Sequence, residues 1–307
     1  MPTSYSDNLH TGHIEGFTQH RIEGADGVPI DVLTAGQGPA LLLLHGCPQT
    51  RMCWRQVACV LQQNFTVVLP DLRGYGRSGK PEPLADHSNY SKRTMALDQI
   101  QVMQALRHNQ FFVAGHDRGG RVAYRLALDH PHAVQAIAVL DIVPTLDVWN
   151  AVNAPVAMRM WHWPLFAQED GLPEALLAHS SDYFVDWGHK HQSANQFAFP
   201  PNNMADYRAS LRDPANIRGM CEDYRASWHI DRLLDQEDQG KRFIQAPLLA
   251  LWGEHGNVAQ ANPIDIWKKW ATFVQGKGLP GGHFLPEEAY EQVATELMAF
   301  FSSIART

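Results

Sequence analysis

The residues with the clearest chemical purpose lie together at Gly115-His116-Asp117-Arg118-Gly119. They follow an apolar run at 111–114 and precede an amphipathic stretch at 120–128, so they occupy a tight turn from strand to helix. Such a turn raises one side chain above a sheet, and the flanking glycines leave room for the crowded backbone. Here that side chain is Asp117 rather than a serine. An isolated aspartate before a helix is commonly an N-cap; the paired glycines favour a nucleophile. A carboxylate nucleophile restricts the chemistry. Attack on a carbonyl would give an anhydride, a poor intermediate for ester or amide hydrolysis. Attack on a saturated carbon bearing a leaving group gives an alkyl ester that water can cleave. Carbon–halogen and epoxide substrates fit, and serine-type esterase activity does not.

The turn has the pattern of the α/β-hydrolase elbow, where the nucleophile is followed along the chain by an acid and then a histidine. The histidine candidate is His283, in Leu279-Pro280-Gly281-Gly282-His283-Phe284. The acid has two candidates at the ends of apolar runs, Asp141 and Glu254, with Asp141 preferred. The loop His45-Gly46-Cys47-Pro48 follows another apolar run, and in this fold it supplies one oxyanion-binding amide while the residue after the nucleophile supplies the other. Those donors would be the backbone N–H groups of Cys47 and Arg118. Gly74-Tyr75-Gly76-Arg77-Ser78-Gly79 matches a dinucleotide fingerprint in spacing, but Lys80-Pro81-Glu82-Pro83 follows it where a helix must start. It reads as a loop.

The elements that must position these residues alternate as in a parallel sheet. Apolar runs at 40–44, 66–69, 111–114 and 133–140 suit strands buried on both faces, with helical patterns near 53–62, 93–107 and 120–128. A hairpin is expected over 17–23 and 30–34, turning at Asp26-Gly27. From about 145 to 240 the pattern becomes helical and holds five of the nine tryptophans. The βα rhythm returns with a strand at 247–252, a helix near 262–272, a strand near 273–277 and a last helix over 286–304. The expectation is an α/β-hydrolase fold: a mostly parallel sheet with flanking helices in residues 1–144 and 241–307, and a helical cap at 145–240 that could act as a lid.

Composition sets the outer limits. The chain has 307 residues, 45% hydrophobic and 19% charged, and a formal charge of −7 that argues against nucleic acid as the main partner. Its aliphatic runs are far too short to span a membrane, and residues 1–10 lack the basic start and apolar stretch of a signal peptide. A cytoplasmic location is expected. Cys47, Cys53, Cys59 and Cys221 show no C-x-x-C pairing, so neither a zinc site nor a disulfide framework is indicated. His189 and His191, two apart on the presumed lid, read as exposed residues rather than ligands.

Taken together, His45-Gly-Cys-Pro-Gln49, Asp71-Leu-Arg-Gly-Tyr-Gly-Arg-Ser78, Gly115-His-Asp-Arg-Gly-Gly-Arg121, Trp161-His-Trp163 and Cys221-Glu-Asp-Tyr-Arg225 resemble the fluoroacetate (haloacetate) dehalogenases, from about residue 15 to the C-terminus. The resemblance implies that the elbow aspartate displaces halide from an α-carbon and that the acid after the following strand, here Asp141, supports the histidine. It also implies a halide pocket of His162, Trp163 and Tyr224, no metal or organic cofactor, and a homodimer. Arg118 and Arg121 stand one and four residues past the nucleophile, on one side of the helix start, where two guanidiniums would hold a small carboxylate. Family members usually carry phenylalanine where this chain has Cys47, which implies a wider pocket and opens the site to larger 2-haloacids. Two other readings stand beside this one. An epoxide hydrolase would share the elbow and use lid tyrosines such as Tyr183, Tyr207 and Tyr224; a non-catalytic ligand-binding protein on this scaffold would not need the full set of groups.

Overall fold

The structure, a computed structural model, describes residues 12–305; residues 1–10, read above for a leader, lie outside them. Eight strands form one sheet in the order β1-β2-β4-β3-β5-β6-β7-β8. β1 (Thr18–Glu23) and β2 (Pro29–Ala35) make the antiparallel hairpin, and β2 also runs antiparallel to β4 (Thr66–Pro70). The rest is parallel: β3 (Ala40–Leu44), β5 (Phe111–His116), β6 (Val134–Leu140), β7 (Leu248–Gly253) and β8 (Val274–Leu279). Every residue of β3 and β5 is buried, as uninterrupted apolar strands covered on both faces must be. The chain passes from β3 to β4 on one side and later to β5 on the other. The carboxyl ends of β3 and β5 therefore flank a topological switch point, where open α/β sheets bind ligands.

Helices α1 (Arg55–Leu61), α2 (Lys92–Ala105) and α3 (Arg118–Asp129) connect the first parallel strands. Between β6 and β7 lie eight described α-helices: α4 (Thr145–Asn150), α5 (Ala154–Arg159), α6 (His162–Phe166), α7 (Leu172–Leu177), α8 (Ser181–Gln192), α9 (Pro201–Leu211), α10 (Pro214–Ala226) and α11 (Arg232–Asp238). Prolines occupy the first turn of α5, α7, α9 and α10, where a missing N–H costs no hydrogen bond, and they divide the segment into short helices. A π-helical turn, Ser227–Asp231, joins α10 to α11.

Two expected helices differ from the reading. The one near 262–272 is only α12 (Pro263–Trp267), because the chain then turns so that Ile244 bridges to Ala271 in parallel. The last is split into α13 (Leu285–Glu288) and α14 (Tyr290–Ala305). Glu288 turns its carboxylate back to accept from the amides of Gly282 and Phe284, both at 2.9 Å, and from Ala194 at 2.6 Å, fixing the loop that carries His283. No helix among the described residues is long and apolar enough to cross a membrane.

Candidate active site

Asp117 sits at the end of β5 with φ 46°, a left-handed value that a non-glycine residue adopts only where its surroundings impose it. The turn closes tightly against the sheet. A Cβ on Gly119 would lie 2.4 Å from the Leu44 carbonyl oxygen, and one on Gly46 would lie 2.5 Å from Asp117 Cβ. Only glycine lets the two loops approach this closely. The Cys47 amide thereby donates to Asp117 Oδ1 at 2.9 Å. Among the described residues no such bond comes from the Arg118 amide, the second expected donor.

Asp117 Oδ2 faces the ring of His283, 3.9 Å from Nε2. On the other side of that ring, Nδ1 lies 2.7 Å from Asp141 Oδ2. Asp141 follows β6 with φ 51°, and its second oxygen accepts from the Gly253 amide at 3.1 Å. Glu254, the alternative acid, is exposed. The neighbouring His116 ring is tilted against that of His283 with ring centres 4.9 Å apart, and its Nε2–H donates to the His283 carbonyl at 2.8 Å. Burial takes His116 down to about 3, so it stays neutral.

The pKa shifts of the central pair point in opposite directions. Burial pushes Asp117 up, but the charges of His283, Arg118 and Arg121 outweigh it and hold the carboxyl well below its usual range. Burial pushes His283 down, but the hydrogen bond and charge of Asp141, with the charge of Asp117, raise it above 6.5. The arrangement offers an ionised carboxylate beside an imidazole that a second carboxylate orients. The Cys47 thiol is pushed up to about 12 by burial and by Asp117, and it stays protonated.

The two arginines are held differently. Both lie buried beside Asp117, yet Arg118 is not a free fork. Its Nε donates to Asp223 Oδ2 at 2.9 Å, and its Nη2 donates to Asp223 Oδ1 at 2.5 Å. Asp223 is held in turn by Lys92 Nζ and by the Tyr75 hydroxyl at 2.7 Å. Only Nη1 of Arg118 remains buried without a partner. Arg121 donates to the Val143 carbonyl at 3.0 Å and to Thr145 Oγ1 at 3.3 Å, and among the described residues it has no carboxylate partner. Asp223 and Lys92 were missing from the sequence reading as part of the site, since nothing in the spacing links α2, α3 and α10.

His162, Trp163 and Tyr224, expected at a halide pocket, are brought together. Tyr224 meets His162 at 6.0 Å and Trp163 at 5.8 Å between ring centres, both edge-on. The guanidinium of Arg118 lies 4.2 Å over Tyr224 and that of Arg121 4.4 Å over Trp163. His162 Nδ1 is buried without a partner, and burial takes this ring down to about 4. Of the other tyrosines, Tyr183 is 70% exposed, while Tyr207 is fully buried and stacked on His189. His189 and His191 do not converge: their Nδ1 atoms bond to the carbonyls of Val185 and Trp187 within α8. A cleft of about 220 Å³ between Trp161, Trp187, His191 and His255 has His283 in its wall. The segment 74–79 is a loop, tied by Asp71, which accepts from the amides of Arg51 and Arg77.

A sheet with this order, a carboxylate at the elbow of β5 and a histidine loop after β8 define a hydrolase of the alpha/beta hydrolase fold. A family profile of that description matches residues 39–290, and the chain belongs to it. Within it the chain belongs to the fluoroacetate dehalogenase family: it is 40% identical over 294 residues to the fluoroacetate dehalogenase of Burkholderia sp., covering 94% of this chain and 95% of that one. Epoxide hydrolases are neighbours, with 29% identity to the soluble epoxide hydrolase of Corynebacterium sp. over 96% of this chain and 97% of the other. A solved structure from Nostoc sp., described as an alpha/beta hydrolase, shares 43% identity with a TM-score of 0.91, covering 93% of this chain and 98% of that one.

Proposed function

We propose that this chain hydrolyses the carbon–halogen bond of small 2-haloacids, fluoroacetate and chloroacetate among them, through an ester on Asp117. Arg121 and the free Nη1 of Arg118 hold the substrate carboxylate. Asp117 Oδ2 attacks the α-carbon, the carbon–halogen bond breaks, and halide departs toward the N–H and O–H groups of His162, Trp163 and Tyr224. His283, oriented by Asp141, then removes a proton from water, which adds to the ester carbonyl. Oδ1 becomes the oxyanion and is already placed at the Cys47 amide. The Arg118 amide joins it as the oxygen moves into tetrahedral geometry. Collapse breaks the bond between the ester carbonyl carbon and the substrate oxygen, His283 returns its proton to that oxygen, and the hydroxyacid leaves with Asp117 restored. The helices over 145–240 act as the lid that excludes bulk water, and no cofactor takes part.

The observation that carries this reading is Arg121, buried, cationic and unpaired beside an aspartate nucleophile. A neutral epoxide would leave that charge uncompensated, which costs several kcal/mol; a haloacid supplies the missing anion. The Burkholderia relative supports the same choice. The test is halide release from fluoroacetate and chloroacetate in parallel, with styrene oxide as the neutral control. Halide and glycolate formation agrees with the proposal, fluoride release showing that Cys47 leaves the halide pocket competent. Opening of the epoxide with neither halide released contradicts it.

A further inference from the structure

We infer that His87, Glu169 and His229 form a binding site for a divalent metal of the zinc class, one that ties the helical segment to the sheet domain. His87 lies on the loop before α2, Glu169 between α6 and α7, and His229 in the π-helical turn after α10. One ligating atom from each falls within 4.8 Å of the other two. Glu169 Oε1 lies 3.4 Å from His87 Nε2 and 3.0 Å from His229 Nε2. Ligands around a tetrahedral zinc, at about 2.0–2.1 Å from the metal, stand about 3.3 Å apart.

Hydrogen bonding prepares the site. His87 Nδ1 lies 2.7 Å from Glu222 Oε2, and a carboxylate only accepts, so the ring carries a proton at Nδ1. Its Nε2 is then the ring atom turned toward Glu169 Oε1. Glu169 Oε1 also accepts from His229 Nε2 at 3.0 Å, so a metal would take the place of that proton. A carboxylate on the far nitrogen of a ligating histidine is the usual outer-shell arrangement at metal sites. The backbone agrees: His87 has φ 59°, uncommon for a non-glycine residue, and His229 rides on a π-turn, an irregularity frequent at functional sites.

Charge favours a cation as well. The three groups line a cavity of about 700 Å³ whose walls also hold Asp86, Asp170 and Glu222. Its one cationic side chain, Arg225, is paired with Glu174 and Glu222 at 2.7 Å each and lies 3.7 Å from Glu169 Oε2, while Oε1 of that carboxylate is the oxygen near the two histidines. Two imidazoles and one carboxylate suit zinc and its transition-metal neighbours better than calcium or magnesium, which prefer all-oxygen shells. Glu169 and His229 are about half exposed, leaving a coordination position for water. None of the three contacts Asp117 or His283, so the metal would be structural and the proposed chemistry independent of it.

The test is titration of the metal-free full-length protein with zinc chloride, followed by calorimetry and thermal unfolding, with cobalt(II) absorption as a second probe. The expected result is one zinc per chain and a raised unfolding temperature. Glu222→Gln, which removes the carboxylate behind His87, should weaken binding by about 10- to 100-fold, and His229→Gln and Glu169→Gln should each weaken it further, while His191→Gln leaves it unchanged. Cobalt should give tetrahedral d–d bands without the thiolate charge-transfer band of a cysteine site. Halide release by the His229→Gln protein equal to that of the parent shows that the variant is folded. Absence of saturable zinc uptake in the parent would overturn the assignment. So would equal affinity in the parent and in both ligand variants.

Discussion

At the ends of β3, β5 and β6 the reactive groups are held by backbone, whereas across the cleft, in residues 145–240, they are held by side chains. Asp117 and Asp141 stand at left-handed turns, and Asp117 is bonded by the Cys47 amide. Opposite them, His162, Trp163 and Tyr224 are placed by ring edges, and Arg225 by Glu174 of α7 and Glu222 of its own helix. Backbone donors at strand ends are fixed to within a fraction of an ångström by the sheet. Rings on short helices can shift without breaking a hydrogen bond. On the proposed function, bond-making lies at the sheet edge, carboxylate binding at the start of α3, and stabilisation of the leaving group in the helical segment. Arg118 joins the two: it begins α3 of the sheet domain, and Asp223 of α10 neutralises it.

Variants rank this division. Asp117→Asn removes the proposed nucleophile and should lower halide release by about four orders of magnitude or more; turnover near the parent rate would break the comparison at its sheet side. Arg121→Gln removes the unpaired charge. It should lower kcat/KM for chloroacetate by about 10²- to 10³-fold, the loss of a buried charge pair, while leaving a neutral 2-haloacetamide nearly unaffected. Equal losses on both substrates would mean that Arg121 only supports the fold. Trp163→Phe keeps a ring over Arg121 and deletes one N–H. Fluoroacetate turnover should fall about tenfold and chloroacetate turnover less, because fluoride depends more on hydrogen bonding as it leaves.

The smallest effect concerns the joint between the regions. Glu287 of α13 is fully buried, with Gln49 of the sheet domain and Asn203 of α9 donating to its two oxygens at 2.5 and 2.7 Å. Burial raises it to about 8 from an ordinary 4.5. A carboxyl whose folded pKa is raised is best accommodated protonated. Its contribution to stability is fully present below about 4.5 and is lost as pH rises through about 8. Glu287→Gln should flatten the stability–pH curve across that window in thermal unfolding, and an unchanged slope would place the titration elsewhere.

The two regions were also unequally legible in the sequence. β3 and β5 could be read from their apolar runs because a strand buried on both faces has little choice of residue. The elbow glycines marked the turn because a Cβ on Gly119 would meet the Leu44 carbonyl and one on Gly115 the Gly119 carbonyl. Both acid candidates ended strands, and only coordinates show that Asp141 reaches His283 while Glu254 is exposed. The pairing of Arg118 with Asp223 was invisible, since the two are 105 positions apart and no periodicity joins helices on opposite sides of the cleft. The triad of His87, Glu169 and His229 escaped for the same reason: its members come from three separated loops and turns. Local motifs report on strands and turns, and charge compensation across a cleft does not leave such a motif.

The most direct measurement of the central claim is a single turnover of chloroacetate in heavy-oxygen water with enzyme in excess. If Asp117 forms the ester, the hydroxyl oxygen of the first glycolate is ordinary oxygen drawn from the carboxylate, and the peptide containing Asp117 gains the heavy isotope. Heavy oxygen in that first glycolate, with Asp117 unlabelled, would mean that water displaces halide directly and that Asp117 is not the nucleophile.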